Sequence, residues 1–252
     1  MRRTLAWTAP WRDAAVAWRD ASDAVAAGGA GRRRWAGIAL STLAAWWLYV
    51  PAHELMHALG CAVAGGRVDE VEIAVLYGGR LWARILPFVR AGGEHAGRLS
   101  AFDVRGSDLI FLVTDLAPYV LTVLAAFPLL RAARRRRSPL LLGPGTVLVA
   151  APALSVTGDY YEIGSIMVSR ALALLLGRPV DGPLQRLRHD DLVALLAEGS
   201  GRSHGGGWRW GAAVLASAAV GLLAASLTLL AARRCGDALA AARSGARRRR
   251  GR

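Results

Sequence analysis

Apolar residues are gathered into blocks long enough to cross a lipid bilayer, and this pattern restricts the fold more than any other feature of the sequence. The blocks lie at residues 35–64, 109–130, 139–176 and 208–232. About 20 apolar residues suffice for a helix to span the hydrocarbon core, so the blocks predict an all-α polytopic membrane protein with about 4–5 spans or re-entrant segments. The third block is too long for one span and is interrupted at residues 158–162, which predicts either two spans with a tight turn or one span with an unwound middle.

The basic residues mark the ends of these blocks. All 32 of them are arginine, and the formal net charge is +14. Clusters lie at residues 32–34, 131–137, 233–234 and 247–250. Arginines in these places can meet anionic lipid headgroups and set the topology, so we expect lipid partners and no nucleic acid. Arginine without lysine, together with abundant alanine and glycine, is typical of GC-rich bacterial genomes, which predicts a location in a bacterial plasma membrane.

A polar segment at residues 66–108 separates the first two blocks. Apolar and other residues alternate over residues 71–77, which is the periodicity of a strand. Gly78 and Gly79 follow, and then a second apolar run at residues 81–89. This order predicts a small β-hairpin insertion with a glycine turn. The hairpin is expected either to offer an edge to an extended substrate or to be an ordinary connection.

The remaining segments flank a membrane core predicted at residues 35–177. Residues 1–34 repeat Trp-Arg-Asp-Ala at a spacing of seven, which predicts an amphipathic helix and a linker. This helix would lie in the membrane interface or pack on the rest of the protein. Residues 178–207 are expected to form a second amphipathic helix and a flexible linker, and residues 208–252 a last span with a polybasic tail.

The chemistry of the chain is concentrated inside the first block, where residues 53–57 read His-Glu-Leu-Met-His. Residues four apart lie on the same face of a helix, so His53 and His57 are predicted to bind one Zn²⁺. Glu54 follows the first ligand and suits a general base that takes a proton from water. Such residues are costly in hydrocarbon, so their presence there indicates a functional site. A catalytic zinc usually has three protein ligands, and a third must come from elsewhere.

The helix carrying this motif resembles that of the site-2 protease family of intramembrane zinc metalloproteases. Residues 52–59 read Ala-His-Glu-Leu-Met-His-Ala-Leu, close to the signature of that family, and the resemblance covers roughly residues 36–176. Residues 116–119, Leu-Ala-Pro-Tyr, loosely match a glycine-proline segment on the intervening span. In the family, the third ligand is an aspartate on a later span, after a proline-containing stretch. Residues 152–159 read Pro-Ala-Leu-Ser-Val-Thr-Gly-Asp, so the resemblance implies Asp159 as the third ligand.

Other carboxylates compete with Asp159 for this role. The Asp-Gly pair of the family is replaced here by Gly-Asp-Tyr. Glu162 lies one helical turn beyond Asp159 and could bind instead or as well. Asp115 lies within the second block, where it could also hydrogen-bond the histidines from behind. Asp181 matches the Asp-Gly spelling but follows the third block.

The sequence therefore predicts a zinc metalloendopeptidase that cleaves peptide bonds at or within the membrane. By resemblance, its substrate would be a membrane protein with a single span. The alternative is a catalytically inactive protein of the same fold that serves as a membrane scaffold or regulator. Intact His53, Glu54 and His57 argue against this alternative. A metal transporter would need several ligand pairs on successive spans, and the sequence has one clear cluster.

Overall fold

A computed structural model of the chain describes residues 8–28, 31–188, 192–193, 195 and 207–250. It is mostly helical. Among these residues, four helical stretches are long and apolar enough to cross a membrane: Arg32–Val63, Asp108–Arg136, Pro139–Leu176 and Trp208–Ala242. The number of stretches agrees with the predicted polytopic architecture.

The described helices are, in chain order, α1 (Ala9–Ala26), α2 (Arg32–Val63), α3 (Gly79–Ile85), α4 (Asp108–Leu116), α5 (Tyr119–Arg136), α6 (Pro139–Leu154), α7 (Asp159–Leu176), α8 (Gly182–Leu187) and α9 (Gly207–Arg250). The described strands are β1 (Arg67–Ile73), β2 (Val89–Ala91) and β3 (Gly97–Asp103), and a 3-10 turn covers Val75–Tyr77. The chain divides into two compact units, one of Met1–Ala151 with Thr228–Arg252 and one of Pro152–Leu227.

In the first unit, helix α1 packs on the helices that follow it. Ala21 and Val25 are fully buried and join Leu130, Ala133 and Leu142 in one apolar cluster. Ala14 joins a second such cluster. This packing agrees with the amphipathic helix predicted near the N-terminus. Its placement in a membrane interface stays a prediction, and residues 1–7 of the predicted segment lie outside the described residues.

Helix α2 is continuous from Arg32 to Val63 and contains Pro51. A proline lacks the N–H that would bond to the carbonyl four residues earlier, so the ladder is interrupted two residues before the His-Glu-Leu-Met-His motif. Gly60, near the end of the helix, permits a close approach of α4. A Cβ added at Gly60 would lie 2.5 Å from Ala117 Cβ and 2.9 Å from the Val113 carbonyl oxygen. The motif and α4 are therefore packed tightly together.

The insertion after α2 is a sheet of three described strands in the order β2-β1-β3, and the predicted simple hairpin was wrong. Strand β1 pairs parallel with β2 and antiparallel with β3. The run at residues 81–89, predicted as a strand, is mostly helix α3, whose Trp82 and Ala83 pack with Leu86 on the core formed by β1.

The positions of Gly78 and Gly79 help explain why a helix follows β1 instead of a hairpin turn. Gly78 has a φ of +79° and begins a helix rather than a two-residue hairpin turn. Gly79 lies so near the end of β1 that an added Cβ would be 2.0 Å from the Ile73 carbonyl oxygen. Parallel strands need a crossover connection, which the helix provides. Trp82 and Leu86 are four residues apart, which is a helical spacing. The run therefore carried a helical pattern as well as the pattern that predicted a strand.

The break predicted in the third block is present, three residues earlier than the sequence indicated. Helix α6 ends at Leu154, and α7 begins at Asp159 after the cap residue Gly158. Ser155 accepts hydrogen bonds through its carbonyl from the backbone N–H groups of Gly158 and Tyr160. The chain thus turns at residues 155–158, and Asp159 is the first helical residue beyond the turn.

The second unit is built on close contact between α7 and the first part of α9. A Cβ added at Gly164 would lie 2.0 Å from the Ser217 carbonyl oxygen, and one added at Gly221 would lie 2.1 Å from the Tyr160 carbonyl oxygen. Small residues of this kind let helix backbones approach each other in membranes. Tyr161 is fully buried within the same unit.

Other predictions concern residues 178–207 and the C-terminal tail. The predicted amphipathic helix is represented by the short α8. Residues 189–191, 194 and 196–206, which include most of the predicted linker, lie outside the described residues. The tail is helical to Arg250 as part of α9, so the last helix extends well beyond the predicted span at residues 208–232.

Candidate metal centre

The two histidines of the motif face each other on α2. Their rings lie 4.7 Å apart between centroids, and the two Nε2 atoms are 3.1 Å apart. This juxtaposition follows from the spacing of four residues, which puts both side chains on one helical face. His57 is 7% exposed and His53 is half-buried. Two imidazole nitrogens thus converge on one point, as the sequence predicted.

His57 is oriented by the backbone of α4. Its Nδ1 lies 2.9 Å from the Thr114 carbonyl oxygen. A carbonyl oxygen can only accept a hydrogen bond, so Nδ1 must carry the proton and donate it. In a neutral ring, Nε2 is then the nitrogen with the lone pair, and this nitrogen faces His53. Metal-binding histidines commonly have such a partner on the second nitrogen.

His53 is oriented by a side chain of its own helix. Its Nδ1 lies 2.9 Å from the hydroxyl of Tyr49, four residues earlier, and the two ring centroids are 5.3 Å apart. Tyr119, at the start of α5, has its ring centroid 5.9 Å from that of His53 in an edge-on arrangement. The His53 ring is therefore held between aromatic neighbours, with Nε2 directed to His57.

Asp159 is the carboxylate of a candidate metal-binding group. His53, His57 and Asp159 each offer one ligand atom, and these atoms all lie within 4.8 Å of one another. The group could hold a metal ion. Among the described residues, it is the one group of three or more histidine, cysteine or acidic residues that meets this criterion.

The competing carboxylates do not belong to this group. Glu162 is in the first turn of α7, and Asp181 directly precedes α8. Asp115 is 3% exposed on α4, beside the Thr114 whose carbonyl accepts from His57. The carbonyl of the neighbouring Thr114 supports His57 from behind. A similar role for Asp115, which the sequence predicted, stays a prediction.

Glu54 lies beside the histidines, against the start of strand β3. A Cβ added at Gly97 would be 2.4 Å from Glu54 Cγ and 3.2 Å from its Oε1. Gly97 pairs with Ile73 in the sheet, so this contact joins the motif helix to the insertion. The absence of a side chain at residue 97 is what allows the Glu54 carboxylate to occupy this place.

Four contributors to this centre were missed by the sequence reasoning: Tyr49, Gly60, Gly97 and the carbonyl of Thr114. A signal existed for the first two, because Tyr49 and Gly60 lie four residues before His53 and three after His57 on the same helix. No local signal existed for Gly97 or Thr114, since their proximity depends on how β3 and α4 pack on α2.

A scan against protein-family models found no match to this chain, and neither did searches of curated proteins and of solved structures.

Proposed function

We propose that this protein is an intramembrane zinc metalloprotease that hydrolyses peptide bonds of membrane-spanning proteins. The single observation that carries the proposal is the grouping of His53, His57 and Asp159, with Glu54 directly beside the first histidine. The long apolar helix that contains the motif supports a site within the membrane. The likeness of the motif helix to that of site-2 proteases points to the same activity.

The donor set fits zinc. Catalytic zinc sites typically combine three protein ligands from histidine and carboxylate side chains and keep one position open. Ligand atoms about 2.0–2.2 Å from a tetrahedral ion are roughly 3.3–3.6 Å apart. The 3.1 Å between the two Nε2 atoms is close to that separation and needs only a small adjustment. His53, His57 and Asp159 would hold the ion.

Within this site, Glu54 is assigned the proton transfers. Zinc, when bound, supplies a Lewis acid that polarises the scissile carbonyl and lowers the pKa of an attacking water. The Glu54 carboxylate takes a proton from that water while the water oxygen bonds to the carbonyl carbon. It then gives the proton to the leaving amine nitrogen as the C–N bond breaks. Its position against Gly97 keeps the carboxylate near this path.

The substrate has to be extended at the site, because the carbonyls of a helix are engaged in hydrogen bonds. Strand β3 offers a place for an extended segment, since it is one of the two edge strands of the described sheet, whose order is β2-β1-β3. Its first residue, Gly97, is the one beside Glu54. An unwound substrate added along this edge would be presented to the general base.

The surroundings proposed for the enzyme are a bacterial plasma membrane with anionic lipid. Exposed arginines at the end of α5, Arg134 to Arg136, suit contact with anionic headgroups. A single-span membrane protein is the proposed substrate class.

The test is the zinc content of detergent-purified protein, measured for the wild type beside His53→Ala, Glu54→Gln and Asp159→Ala. We expect near-stoichiometric zinc in the wild type and in Glu54→Gln, and its loss in the other two. Hydrolysis of a single-span reporter should fall in Glu54→Gln by about 10²- to 10⁴-fold, the usual contribution of a general base. Glu94→Gln, an exposed carboxylate outside the site, is the matched control.

Folded wild-type protein that takes up no divalent metal would overturn the proposal and favour an inactive scaffold. If Asp159→Ala kept its zinc while His53→Ala lost it, the proposal of a protease would stand. The third ligand would then have to be another carboxylate, and Glu162 would be the first to test by substitution.

A further inference from the structure

Tyr49 and His53, four residues apart on α2, form a hydrogen bond. Its chemistry differs from that of the hydrogen bond between His57 and the Thr114 carbonyl. Tyr49 is 9% exposed, and its hydroxyl lies 2.9 Å from His53 Nδ1. The His57 partner is a backbone carbonyl, which can only accept. A hydroxyl can accept or donate. The Tyr49 hydroxyl therefore accepts a hydrogen bond when His53 Nδ1 carries the proton, and donates one when it does not.

We propose that Tyr49 is the residue that positions His53 for metal binding, by accepting the Nδ1–H hydrogen bond when Nε2 holds the ion. This inference rests on the proposed function. It goes beyond it by assigning a role to a residue outside the His-Glu-Leu-Met-His motif. Hydrogen-bonded partners of this kind fix the orientation of a metal-binding imidazole and make it a better ligand.

The packing around Tyr49 keeps its hydroxyl in place. Its ring lies between those of Trp46 and His53, with centroids 6.0 and 5.3 Å away. It also belongs to a buried cluster with Val147 and Ala151. The ring can move little, so the hydroxyl is directed at Nδ1 by the same contacts that hold the helices together.

Tyrosine suits this role in an apolar span better than the carboxylates that often support metal-binding histidines. An ionised carboxylate on this face would carry a large desolvation cost in hydrocarbon. A hydroxyl costs far less to bury once it is hydrogen-bonded. The wholly structural alternative is that Tyr49 packs through its ring and that its hydroxyl only finds a convenient partner. Removing the hydroxyl alone distinguishes the two.

The experiment compares Tyr49→Phe with the wild type, using Zn²⁺ and Co²⁺ as probes on the full chain in detergent. We expect the Kd for Zn²⁺ to rise about 10- to 100-fold in Tyr49→Phe, the usual effect of losing such a partner. The visible spectrum of the Co²⁺-loaded protein should shift as the His53 ring changes its angle. The matched control is Tyr77→Phe, which removes a hydroxyl whose hydrogen-bond partner is Trp46 Nε1, at 3.3 Å.

A second measurement needs no substitution and keeps the inference testable if Tyr49→Phe fails to fold. Nitrogen-15 NMR of histidine-labelled, zinc-loaded wild type should show His53 protonated at Nδ1 and coordinated through Nε2. Coordination through Nδ1 would overturn the inference, as would an unchanged Kd in folded Tyr49→Phe. If the wild type bound neither metal, the proposed function itself would fail, and that outcome is distinct from either of these.

Discussion

Helices α1 and α2 both carry ionisable side chains at regular spacing, and the molecule uses them in opposite ways. On α1, the Trp-Arg-Asp-Ala repeat places Asp13 and Asp20 seven residues apart, and they pair with Arg233 and Arg134. The Arg134–Asp20 pair is 3.1 Å long, with side chains 62% and 48% exposed. On α2, His57 is 7% exposed, and its Nδ1–H donates to a backbone carbonyl.

The difference shows that burial and partners, rather than the charge of a side chain, decide what a polar cluster contributes. An exposed ion pair loses much of its attraction to water and salt and typically contributes about 0.2–1 kcal/mol. A buried polar group without its partner costs more, about 1–3 kcal/mol. We therefore expect the α2 region to respond to a single added methyl group, and the α1 region to tolerate the loss of a whole charge.

The largest effect should follow Gly97→Ala. The new Cβ would lie 2.4 Å from Glu54 Cγ, so the flexible Glu54 side chain has to move away from its place. The rate of hydrolysis of a reporter substrate should fall by up to about 10²- to 10⁴-fold, the loss expected when a general base is missing. The zinc content should not change. Ser100→Ala, an exposed position on the same strand, is the control. Full turnover in Gly97→Ala would show that the glycine is not needed to place Glu54.

A smaller effect is expected from Gly60→Ala on α2. Its Cβ would be 2.5 Å from Ala117 Cβ and 2.9 Å from the Val113 carbonyl oxygen, so α4 must shift. Overpacking of this kind costs about 1–3 kcal/mol of unfolding free energy, measurable by thermal unfolding in detergent. Zinc affinity should fall too, because the Thr114 carbonyl moves with α4. The control is Gly211→Ala, where an added Cβ meets nothing within 4 Å. Equal effects of the two substitutions would contradict this packing argument.

The smallest effect is expected from Asp20→Asn on α1. It removes the pair with Arg134 and should lower the unfolding free energy by at most about 1 kcal/mol. The loss should shrink further as salt is added, because exposed charges are screened. Zinc content and hydrolysis should not change. A loss larger than that of Gly60→Ala, or a loss of zinc, would break the comparison between the two helices.

Much of the fold was predictable because long apolar helices are local features of a sequence. The lengths of the apolar blocks predicted the candidate spans, and the polar residues near Gly158 predicted the break before α7. The insertion was predicted less well. Its apolar alternation over residues 71–77 correctly indicated a strand for β1, but the 3-10 turn begins at Val75. The run after Gly79 folded as a helix because parallel pairing of β1 with β2 needs a crossover, and the sequence alone does not reveal that pairing.

What the sequence by itself determined is the chemistry that depends on one helix. His53 and His57 face each other because they are four residues apart on one helix. The position of Glu54 beside them follows from the same helical geometry. The tertiary structure decided which distant groups meet them. It directed the Thr114 carbonyl to His57 and set Gly97 against Glu54. These contacts join residues far apart in the chain, and their positions depend on how whole helices and strands pack, which no local spacing encodes.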